Sequence, residues 1–190
     1  MTWFQIYNLG DLGSKIGDAM IMVKKQSKSS AWKDYIPSSI YTVLIIFQLI
    51  LFFFFYYNHL GLDFLVYIGW FIWILSIIFG FLPMYTFRKK GGVAKGKSYT
   101  QTTKLVDTGI YSIVRHPQYL AGILLNIALI LLTQHWLSLI AGVIAVIIMY
   151  FDTLKADARL NKKFGEDYKK YMDRVPGLNF VLGIIKKCFA

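Results

Sequence analysis

A chain of 190 residues is long enough for one domain, but 56% hydrophobic residues and a mean hydropathy of +0.50 exclude an ordinary soluble globule and point to a membrane protein. A formal charge of +11 would suggest nucleic acid in a soluble chain. Here Lys and Arg avoid the apolar runs and gather in three segments, as cytosolic loops do, so topology explains the charge and no nucleic-acid partner is expected. The single cysteine, Cys188, excludes an internal disulfide and a CxxC site.

Residues 1–34 read as an interfacial amphipathic piece with a polar, Lys-rich and Ser-rich link, without a secretory signal. Residues 36–57 carry no charge and are long enough for a first transmembrane helix. A turn at Asn58, His59, Gly61 and Asp63 lacks Lys and Arg; residues 64–87 then form a second span that Pro83 kinks or ends. The long loop 88–115 contains Gly91 to Ser98, GGVAKGKS, which satisfies the spacing of a phosphate-cradling loop. No strand precedes it and no acidic strand end is available for magnesium, so the expected role of Lys95, Lys97 and Ser98, with Arg115, is contact with an anionic headgroup.

Uncharged sequence from His116 to Phe151 is interrupted only by Thr133-Gln134-His135, giving two short helices near 118–132 and 136–151 as a hairpin. Beyond Asp152 the chain leaves the membrane, and Tyr150, Leu154, Asp157, Leu160, Asn161, Phe164, Tyr168 and Tyr171 recur at helical spacing. This places Asp157 on a packed face, and residues 177–190 follow as an amphipathic tail. The whole is an all-α polytopic membrane domain of about four transmembrane helices. Its termini and polar site lie on the cytosolic side, because the turns at 58–63 and 133–135 carry no positive charge.

The residues with chemistry collect in KLVDTGIYSIVRHPQY, residues 104–119, where a proline opens an apolar helix and Arg115 and His116 stand just outside it. Three histidines with no HExxH pair and no cysteine partner give no zinc site, and no GxSxG elbow supports hydrolysis. LVDTGIYSIVRHPQYLAG, then an apolar hairpin, then DARLNKKFGEDYKKYMDRVP resembles the isoprenylcysteine carboxyl methyltransferase and phospholipid methyltransferase superfamily over residues 104–176. The resemblance implies a cytosol-facing S-adenosylmethionine pocket built by Gly109, Tyr111, His116, Pro117, Tyr119 and Asp157, with residues 88–176 as the cofactor-binding core. Ala156 stands where the superfamily usually has the first of two acids. Asp152 stands where prenylcysteine enzymes have an arginine, and would repel a carboxylate and attract an amine. Asp152 and Tyr119 are therefore the expected catalytic pair, the first facing the acceptor and the second walling the cleft. The expected partners are the membrane and a lipid or prenylated acceptor.

Membrane reductases of sterol-like enones share the RHPxY pattern and bind NADPH, which is the alternative cofactor. They commonly place an acid soon after that pattern, whereas Gly122 here is followed by Ile123, Leu124 and Leu125. A third reading is a non-catalytic protein whose basic loop binds anionic lipid.

Overall fold

The structure, a computed structural model, describes residues 38–92 and 103–189. The interfacial segment expected over 1–34 and Lys95, Lys97 and Ser98 lie outside these residues. Ile40–Ala190 makes one of two compact units, and the other, Met1–Ser39, falls outside the described residues apart from Ser38 and Ser39.

The described residues form helices α1 (Ser38–Phe55), α2 (Asp63–Lys90), α3 (Pro117–Thr133), α4 (Trp136–Phe164), α5 (Glu166–Arg174) and α6 (Phe180–Cys188), with a 3-10 turn at Gly109–Ser112 and no strand. Helices α1, α2 and α4 are long and apolar enough to cross a membrane, and α3 is a shorter apolar helix beside them. Their outward faces are Ile, Leu, Phe and Tyr, with Phe54, Tyr67 and Phe81 more than two-thirds exposed, as expected where lipid is the solvent.

Small and polar residues mark the contacts between helices. Gly69 of α2 meets Leu132 of α3, where an added Cβ would stand 2.9 Å from its Cγ. Ser76 donates to the Ala121 carbonyl at 2.8 Å, and Gln48 of α1 reaches the Ser138 carbonyl of α4 at 3.0 Å. The turn after α1 and the turn after α3 lie together at one end of the bundle. There Asn58 N–H donates to the Leu132 carbonyl, and the Gln134 amide exchanges two hydrogen bonds with the Leu62 backbone, at 3.1 and 2.9 Å. At the other end the Phe87 ring of α2 stacks on Tyr111 at 4.6 Å.

The structure refines three sequence expectations. Of the two outcomes open at Pro83, a kink or an end, the end is excluded: α2 continues to Lys90 with Pro83 inside it. The second arm of the hairpin is the apolar part of a longer helix: α4 runs unbroken through Asp152 and Asp157 to Phe164, as helical spacing beyond Asp152 led one to expect, since no Gly or Pro interrupts residues 143–164. It stops at Gly165, whose φ of +58° and ψ of −130° are open to glycine but costly for a residue with a side chain, and α5 starts in a new direction. Tyr150 and Leu154 lie on the same side of α4 as Asp157, but that side is covered only around Asp157. They are about half exposed, and the buried stripe of α4 is Met149, Asp152, Thr153 and Ala156.

Candidate active site

Arg115 and His116 sit in the link between the 3-10 turn and α3. The link is held from both sides. Arg115 N–H donates to the Pro176 carbonyl at 3.0 Å and His116 N–H to that of Gly177 at 3.1 Å, so the segment after α5 serves as a backbone partner for the motif. Gly183 of α6 lies so close beneath that an added Cβ would fall 1.8 Å from the Ile113 carbonyl oxygen. The Tyr171 hydroxyl donates to the Tyr111 carbonyl at 2.7 Å, tying α5 to the 3-10 turn.

Asp157 is the hub. Its Oδ1 accepts from Arg115 Nη1 at 2.9 Å, from the His116 ring at Nε2 at 2.7 Å, and from the Tyr168 hydroxyl at 2.5 Å. A carboxylate beside a guanidinium is an acceptor only, which requires Nε2 of His116 to carry its hydrogen. Burial first, then its hydrogen bond to Asp157, raises the Tyr168 phenol pKa, so this hydroxyl remains a donor. Three elements, the Arg-His link, α4 and α5, are thereby joined through one oxygen. The Arg115 Nε is buried and has no protein partner.

In front of this hub is a cavity of about 310 Å³, walled by Phe87 of α2, Tyr111 of the 3-10 turn, Arg115 to Tyr119, and Ala156, Arg159, Leu160 and Lys163 of α4. Four of the expected cofactor residues, Tyr111, His116, Pro117 and Tyr119, line it together with Arg115. Gly109 and Asp157 do not: Gly109, at φ +67°, turns the backbone against Thr86, and Asp157 stands behind the Arg-His wall. Asp152 also lies outside the lining. It is buried one turn deeper on α4, with Lys155 Nζ at 3.4 Å and the Tyr119 hydroxyl near enough to feel its charge.

Sequence reading missed Arg159, Lys163, Phe87 and Tyr168. Arg159 shares the cavity wall with Tyr119 and is near enough for its charge to act on that phenol. The signal for it was available: positions 152, 156, 159 and 163 lie at helical spacing on one face of α4. A larger cavity of about 410 Å³ lies at the opposite end of the bundle, among Leu60, Leu65, Ile130, Leu131 and Trp136 with His59 and His135. It has no charged side chain, whereas the cavity at the Arg-His corner has three.

Residues 64–166, more than half of the chain, match the family model described as phospholipid methyltransferase. The chain belongs to the phospholipid methyltransferase family. The matched stretch begins in α2 and ends at the start of α5, so it contains every wall of the corner cavity and the Asp157 hub. No curated protein and no solved structure gives a match. The family is one of membrane methyltransferases, and the corner cavity lies at the ends of apolar helices.

Proposed function

We propose that the chain is an S-adenosylmethionine-dependent methyltransferase acting on a lipophilic acceptor, a lipid amine in preference to a prenylated carboxylate, from the cytosolic side of the membrane. The observation that carries this reading is the lining of the corner cavity: Arg115, Arg159 and Lys163 give it positive charge, and Phe87, Tyr111 and Tyr119 give it aromatic faces. The set fits the cofactor. Guanidinium and ammonium groups suit its carboxylate, and ring faces suit an adenine or a sulfonium.

When bound, the cofactor supplies an electrophilic methyl group; the protein supplies position and a dry site. Arg159 and Lys163 draw an anionic group into the cavity from α4. Pro117 and Tyr119 form the wall on the α3 side, with Arg159 on the same cavity. Asp152, buried beyond Tyr119 and only weakly countered by the exposed Lys155, is a charge partner for an amine approaching from the lipid side. The same excess of positive charge would suit the phosphates of NADPH, so the two cofactors are compared directly. Membranes containing the protein, incubated with radiolabelled S-adenosylmethionine, are expected to yield label in the extracted lipid. Absence of label, together with saturable NADPH binding by the purified protein, would replace this reading with the reductase one.

A further inference from the structure

The inference rests on the methyl-transfer reading and names the group that takes the proton. Transfer of a methyl group to an amine leaves one proton to be removed from nitrogen. The charged side chains in the cavity wall, Arg115, Arg159 and Lys163, are all cationic, and the wall contains no carboxylate. The His116 ring is its one imidazole. Nε2 is committed to Asp157 at 2.7 Å and carries hydrogen, so in the neutral ring the lone pair is on Nδ1. Nδ1 has no hydrogen bond among the described residues, yet it is not one of the sealed and unpaired polar atoms. It is therefore not sealed off, and His116 lines the cavity.

We propose that His116 is the proton acceptor of the reaction, through Nδ1, and that Asp157 is a positioning residue that fixes the ring's tautomer. In the step, the acceptor nitrogen bonds to the donated carbon while that carbon's bond to sulfur breaks, sulfur keeping the electron pair. The N–H proton of the acceptor passes to Nδ1, and the resulting imidazolium is balanced by Asp157 on its other side. Around the ring, Arg115 comes from the link, Tyr119 from α3, Asp157, Arg159 and Lys163 from α4, and Tyr168 from α5. The Asp157 contact keeps the ring oriented. Asp152 is the rival base. It lies outside the cavity wall and has Lys155 as an ion-pair partner.

The test combines spectroscopy without cofactor and kinetics with it. In detergent-purified protein labelled with ¹⁵N-histidine, the His116 signals, identified by their loss in His116→Gln, are expected to show the Nε2–H tautomer, and Asp157→Asn is expected to abolish that preference. In His116→Gln, whose amide can still donate to Asp157, kcat is expected to fall about 100-fold or more, far beyond any loss of calorimetric affinity for S-adenosylmethionine. The acidic limb of wild-type kcat should coincide with the titration of the His116 signals and vanish in that variant. An Nδ1–H tautomer, an affinity loss matching the loss of kcat, or a limb that survives in His116→Gln and disappears in Asp152→Asn would overturn the proposal. Wild-type protein that shows the Nε2–H tautomer but binds no S-adenosylmethionine would remove the methyl-transfer reading, and this inference with it.

Discussion

One oxygen, Asp157 Oδ1, carries more of the site than any other atom in the chain. It receives a guanidinium, an imidazole and a phenol, all mostly buried, and each would be left short of a partner without it. The phenol is the cleanest probe, because Tyr168→Phe removes a hydroxyl and nothing else. Hydrogen bonds to charged groups are worth about 1.5–3 kcal/mol, and the variant should be less stable than the wild type by that amount in thermal unfolding. The pH dependence follows from the raised phenol pKa. Below about pH 10, the ordinary tyrosine value, folded and unfolded chains both keep the proton and the contribution is whole. Above it the unfolded chain ionises while the folded one resists, so the wild type loses its advantage and the gap to Tyr168→Phe should narrow. A gap that widens at alkaline pH would mean that the phenol is held as a phenolate. Sequence alone picked out His116 and placed Tyr168 on one packed face with Asp157, but gave the phenol no role, because helical spacing shows which residues share a face and not which of them bond.

At the scale of elements, the site depends on α5 and α6 as much as on the apolar helices. The Arg-His link has a backbone partner only because residues 176–177 run beside it, and α6 then closes beneath Ile113. Gly183 makes that closure possible. Gly183→Ala would drive a methyl group into a backbone carbonyl that has no room to yield, with an expected cost of about 1–3 kcal/mol. Limited proteolysis should then cut between α5 and α6 in the variant and not in the wild type, while the membrane helices stay intact. Equal resistance in the two proteins would show that α6 does not clamp the link. Residues 177–190 were legible as an amphipathic tail, but their docking under the motif was not. Composition reports which face of a helix is apolar and is silent on which neighbour covers it.

Over the whole molecule, hydropathy and charge were enough to fix an all-helical membrane protein and the four apolar helices. Lipid forces every spanning backbone group to bond within its own helix, and twenty apolar residues are easy to see. The Arg-His-Pro motif was visible for a related reason: polar chemistry at the start of an apolar helix stands out against its surroundings. The composition of the cavity was less legible. Two of its three cations, Arg159 and Lys163, come from the C-terminal part of α4, whose sequence reads as a solvated, Lys-rich exit from the membrane, yet both line the cavity. The account as a whole stands on that cavity being a cofactor site. Calorimetric titration of S-adenosylmethionine into the detergent-purified wild type and into Arg159→Ala is the most direct measurement. The account predicts saturable binding by the wild type and an affinity at least about tenfold lower in the variant, the loss of one charge-assisted contact. No binding by a folded wild type, or equal binding by both proteins, would contradict it.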